Sequence, residues 1–83
     1  MIKKKGCNPC KLFEPQVKSV AEDNQLKFKI IQAEEMPLNI RPEIFPYFYL
    51  RKGNTILEQW PGTNSRKLTS VLKRHIKNLI INI

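Results

Sequence analysis

The stretch Gly6-Cys7-Asn8-Pro9-Cys10-Lys11 holds both cysteines of the chain, in C-x-x-C spacing, directly before a segment of helical periodicity. Two thiols at that spacing can close into a disulfide and open again, so the chemistry they offer is thiol–disulfide exchange. With Cys7 at the N-cap or first position of the helix, unsatisfied backbone N–H groups and the positive end of the dipole point at its sulfur. Both favour the thiolate, the form that attacks disulfides. Pro9 suits the first turn, where its missing N–H costs no intrahelical bond, and Cys10 lies one turn on, within bridging reach. Lys3, Lys4 and Lys5 before the motif and Lys11 after it add positive charge in the same sense, screened to the extent that they are exposed.

Two blander uses of the cysteines weigh less. A bridge across two intervening residues closes almost no loop and adds little entropy-based stability, and small secreted domains that rely on disulfides carry more of them. A zinc site needs about four ligands. His75 is the one further nitrogen or sulfur ligand of the usual kind, which leaves only a dimer sharing two cysteine pairs. His75 itself stands at helical spacing from Leu68, Leu72 and Leu79 and reads as a flank of a packed stripe rather than a catalytic base. Trp60 reads as a core or edge aromatic, with the border of a substrate groove as its other use.

The elements that must position the motif fit one small domain spanning residues 1–83. With 41% apolar and 27% charged residues the chain is neither disordered nor membrane-embedded, since no apolar run approaches the length of a bilayer span. The basic start has no apolar region after it and is not a secretory signal, so the expected compartment is the cytoplasm. A net charge of +8 raises the question of an acidic partner. The basic residues are dispersed along the chain, which argues for a solvated surface over a dedicated nucleic-acid site.

Residues 1–6 allow only a minimal strand. From Lys11 to Asp23, Phe13, Val17, Val20 and Ala21 recur at helical spacing, interrupted at Pro15, where a kink is expected, and ending at Asn24. Gln25 to Gln32 alternates as a strand, and Pro37 and Pro42 permit at most a short helix between them. A second strand run opens at Phe45-Pro46 and continues to Leu50, turns at Arg51-Lys52-Gly53-Asn54 and returns over Thr55 to Trp60. Thr63, Asn64 and Ser65 are candidate caps for a last helix with Leu68, Val71, Leu72, Ile76, Leu79 and Ile80 on one stripe. Ile81 to Ile83 are expected to pack. The order strand, helix, strand, irregular crossover, strand, strand, helix predicts an α/β fold of about four strands with helices on its faces.

These residues resemble the thioredoxin family, in particular its short thioredoxin- and glutaredoxin-like proteins. The matching features are C-x-x-C at a helix start with proline before the second cysteine (Cys7, Asn8, Pro9, Cys10), then Lys11, and Pro15 five residues after Cys10. Phe45-Pro46 opening a strand, the Lys52-Gly53 turn and Gly62 before the last helix continue the series, which spans nearly the whole chain. The resemblance implies a thioredoxin-like fold with an approximately four-stranded mixed sheet flanked by helices. It implies a protein-disulfide oxidoreductase with Cys7 and Cys10 catalytic and Asn8, Pro9, Phe45, Pro46 and Gly62 binding substrate. Phe45-Pro46 is expected to be cis, its Phe45 backbone pairing with an extended peptide. No cofactor beyond the redox-active disulfide and no metal are expected. The partners are disulfide-containing proteins and a thioredoxin reductase or glutathione as electron donor, with no membrane partner, and the chain is expected to be a monomer.

The chain departs from the family pattern at three places. Gly6 replaces the usual Trp, Asn8 the usual Gly, and the buried acidic residue of the first strand would fall at or before Met1. Water, Glu14 or a lysine is left to take the proton of the second cysteine. Pro9 and Trp60-Pro61-Gly62-Thr63 are closer to thioredoxin than to glutaredoxin, which makes glutathione the secondary donor. Alternative uses of the same fold are a glutathione-recharged reductase or a basic, non-catalytic binding module.

Overall fold

The chain runs β1 (Ile2–Lys3), α1 (Asn8–Asp23), β2 (Ile31–Gln32), β3 (Tyr47–Lys52), β4 (Thr55–Pro61) and α2 (Ser65–Ile81). Single 3₁₀ turns at Ala33–Glu35 and Leu38–Ile40 fill the crossover between β2 and β3. This is a computed structural model that describes the backbone of residues 1–81 and the side chains of residues 1–75. The expected packing of Ile76, Leu79, Ile80 and the last residues lies outside the side chains described.

The four strands form one mixed sheet in the order β2-β1-β3-β4. β1 runs parallel to β2 and antiparallel to β3, and β3 and β4 form an antiparallel hairpin. A parallel pair needs a long crossover, and α1 supplies it between β1 and β2. β1 is minimal, as the few residues before the motif predict, yet it is interior to the sheet despite Lys3, Lys4 and Lys5, which argue against a central strand: Ile2 pairs with both Ile31 and Tyr47 and is fully buried. The hairpin turns at Gly53, whose φ of +60° lies in the left-handed region open to glycine.

Period-two alternation puts Phe48 and its cross-strand partner Trp60 on one face, where their rings stack at 5.4 Å. Phe13 of α1 meets Phe48 edge-on at 5.9 Å, and Leu68, Val71 and Leu72 of α2 complete the same cluster. Both helices therefore cover one face of the sheet. On the other, Tyr47 and Tyr49 lie edge to face and Tyr47 Oη donates to Gln59 Oε1 at 3.0 Å.

α1 begins at Asn8 with Cys7 as its N-cap, as the motif implies, and continues through Pro15. Two strand boundaries differ from those the sequence predicts. The strand expected over residues 25–32 is reduced to Ile31–Gln32. Its physical limit is pairing: β1 offers a ladder only at Ile2 and Lys3. The strand after the crossover starts at Tyr47, since Pro46 has no N–H to give to a ladder. Asn24 does close α1, with its Nδ2 donating to the Val20 carbonyl at 2.8 Å. No helix among the described residues is long and apolar enough to cross a membrane.

Candidate redox site

The turn between β1 and α1 sets the site. Gly6 adopts φ +74° and the Cys7 N–H donates to the Lys4 carbonyl at 3.3 Å, reversing the chain just before the helix. Cys7 is then the N-cap, extended in backbone, with its Sγ accepting the Cys10 N–H at 3.2 Å. Ser, Thr, Asp or Asn usually fills that capping role; here sulfur does. Cys7 and Cys10 are joined in a disulfide with their Cα atoms 5.3 Å apart.

The two sulfur-bearing residues are unequal. Cys10 is 1% exposed, on the α1 face that also buries Phe13 and Val17, whereas Cys7 is half-buried. Asn8 and Pro9 between them are exposed. Cys7, Asn8 and Cys10 border a cavity of about 180 Å³. Lys3, Lys4, Lys5 and Lys11 line the rest of it, with Gln32 reaching it from β2. Pro9 does not line it.

Phe45, Pro46 and Gly62 form a second group. The Phe45-Pro46 bond is cis and Pro46 is fully buried. Its carbonyl accepts the Gly62 N–H at 2.8 Å, and Gly62 stands at φ +94°. Lys4 links the groups, its Nζ lying 5.2 Å from the centroid of the Phe45 ring.

Sequence reasoning missed two contacts. Lys3 Nζ pairs with Glu14 Oε1 at 2.8 Å, both side chains about one-quarter to one-third exposed, and Lys4 packs over Phe45. The lysines beside the motif are visible in the sequence as charge, but which of them pairs and which stays open depends on residues of α1 and on the register of β1 against β3, and has no local signal. The His75 Nε2 is 3.5 Å from Glu58 Oε1, the carboxylate that also takes Arg74. Trp60 is core, 5% exposed. Among the described residues no three His, Cys, Asp or Glu side chains gather as a metal site would require.

No family model matches the chain. In an alignment of 74 residues that covers 83% of the chain, it is 28% identical to thioredoxin-T of Drosophila melanogaster, and it spans about half of that relative, 47%. The crystal structure of Chlamydomonas reinhardtii thioredoxin f2 is similar over 89% of this chain and 73% of its own, with a TM-score of 0.79 at 20% identity. The fold is thioredoxin-like. In this thioredoxin-like chain β1 presents Ile2 and Lys3 and no carboxylate, and Glu14 is the acidic residue one helical turn beyond Cys10.

Proposed function

We propose that this thioredoxin-like chain is a thiol–disulfide oxidoreductase that reduces disulfides of other proteins through Cys7 and Cys10. The observation that carries the reading is the inequality of the pair: a half-buried sulfur at the N-cap of α1 and a buried one a turn inside it. In the reduced protein the N-terminus of α1 and the surrounding lysines favour negative charge on Cys7. The Cys7 thiolate attacks a substrate disulfide, forms a mixed disulfide and releases one substrate thiolate, which takes up a proton. Cys10 loses its proton and attacks Cys7, which frees the second substrate thiol and closes the Cys7–Cys10 disulfide. Two electrons pass to substrate in all.

Glu14, one turn along α1, is the acceptor of the Cys10 proton in this scheme. Asn8 and Pro9 on one side and Phe45, Pro46 and Gly62 on the other contact the substrate, with the Phe45 backbone pairing with an extended peptide. A thioredoxin reductase, or glutathione in second place, resets the pair, and no cofactor beyond the disulfide takes part. The working compartment is the cytoplasm.

The test is the equilibrium of the pair against a glutathione buffer, joined to reduction of insulin disulfides. A reversible two-electron transition near about −270 mV is expected, the range of a reductant. Insulin reduction by the Cys7→Ser variant, or no reversible transition, would sink the reading.

A further inference from the structure

The cavity beside the disulfide is basic in a way that folding does not use up. Four lysines line it, Lys3, Lys4, Lys5 and Lys11. Lys3 is already paired with Glu14 at 2.8 Å. Glu34, the other carboxylate nearby, accepts from the Lys5 backbone N–H at 3.4 Å rather than from an ammonium. Among the described residues no carboxylate lies within ion-pair distance of Lys4, Lys5 or Lys11. Lys4 is held over the Phe45 ring, so its charge sits between the cysteine pair and the Phe45-Pro46 turn. The positive end of α1 points the same way.

We infer that Lys4, Lys5 and Lys11 select substrates by charge: the protein acts on acidic polypeptides whose disulfide is flanked by Asp or Glu. This rests on the oxidoreductase reading above and names its substrate class. A carboxylate next to the attacked cystine enters the lysine-lined cavity as its disulfide meets Cys7, and the substrate's own backbone lies along Phe45. The exchange itself is unchanged. The substrate disulfide gains two electrons and two protons and becomes two thiols, while the Cys7–Cys10 dithiol becomes a disulfide that a dithiol reductase or glutathione reduces again. Charge complementarity at such a rim acts chiefly on encounter rate, and it weakens with salt.

The experiment compares peptides of one length, each with one internal disulfide, flanked by Glu, by Gln or by Lys, together with glutathione disulfide. Values of kcat/KM are read at low and physiological salt for the wild-type protein and for the triple variant Lys4→Gln, Lys5→Gln, Lys11→Gln. The Glu-flanked peptide is expected to exceed the Gln-flanked one by about fivefold at low salt, from two or three exposed ion pairs. The Lys-flanked peptide is expected to fall below both, and the preference to shrink with salt. In the triple variant the Glu-to-Gln ratio is expected to approach one; reading a ratio cancels any change in Cys7 reactivity. Salt dependence in the wild-type protein gives an answer even where the variant folds poorly. Equal rates on all three peptides would overturn the inference and leave the oxidoreductase reading standing, as would a preference for glutathione disulfide over the Glu-flanked peptide. Turnover of none of them would remove both.

Discussion

Cys7 and Cys10 are separated by three positions, one half-buried and the other buried, and the roles proposed for them follow from that difference. A buried thiol cannot meet an incoming disulfide first, but it can reach the neighbouring sulfur. Cys10→Ser is therefore expected to stall at the mixed disulfide, accumulating a covalent adduct visible by mass spectrometry that added dithiol releases. Cys7→Ser should form none. Glu14 permits a finer test, because it combines a place one turn from Cys10 with an ion pair to Lys3. Glu14→Gln is expected to slow closure of the Cys7–Cys10 bridge by about tenfold, below the usual hundredfold or more for a proton acceptor since water can substitute. Its readout is the rate of that step, which should fall in Glu14→Gln and hold in Lys3→Met, a change that breaks the same ion pair but keeps the carboxylate. If both variants behave alike, the pair serves structure and not proton transfer.

At the scale of elements, the cap of α2 is a local device with a measurable worth. Asn64 Oδ1 accepts the Lys67 N–H at 3.1 Å, so Asn64→Ala is expected to cost about 1 kcal/mol, read as a lower denaturation midpoint with an unchanged slope. Gly62→Ala has open space for its methyl group, yet it must hold φ near +94° while donating to Pro46. A penalty of about 1–2 kcal/mol is expected there, with a rise in KM for peptide disulfides since Pro46 is tied to that turn. Equal KM in Gly62→Ala and wild type would detach Gly62 from the substrate surface.

The same elements mark where sequence patterns speak and where they stop. Asn64, Asn24 and Gly53 announce a cap, a stop and a turn because each acts within a few residues of its own position. The periodicity of Phe13, Val17 and Ala21 gave α1 its buried face, and C-x-x-C with Pro9 gave the cysteine pair its place at the helix start. Residues 26–30 show why the rest was not legible: their alternation of Leu26, Phe28 and Ile30 is that of a strand, but a strand needs a paired backbone, and β1 reaches only Ile31 and Gln32. The lysine-lined cavity is equally non-local. It requires β1 to pair antiparallel with β3, Ile2 against Tyr47, which brings Lys4 to Phe45, a residue about forty positions away and absent from any local window of sequence.

Across the whole molecule, α1 and α2 share a single layer of packing on one face of the sheet, so the redox site and the hairpin stand or fall together. Phe48 is at the middle of it: 3% exposed, stacked on Trp60 and met edge-on by Phe13. Phe48→Ala removes an aromatic ring from a core that few side chains can refill, a change that typically costs about 3–5 kcal/mol. Folded domains in general hold only about 5–15 kcal/mol, and a chain of 83 residues buries a smaller fraction of its surface than larger ones do. The loss should lower Tm by about 10 °C or more. Trp60 is the one tryptophan in the chain and sits against Phe48, so its fluorescence reports the core while far-UV dichroism reports the helices. For one shared core the two transitions coincide in the wild-type protein, and both move together in Phe48→Ala. Separate transitions would show that α1, with the cysteine pair at its N-terminus, keeps its structure without the layer beneath it, and the coupling of site to core argued from Phe13 and Phe48 would fail.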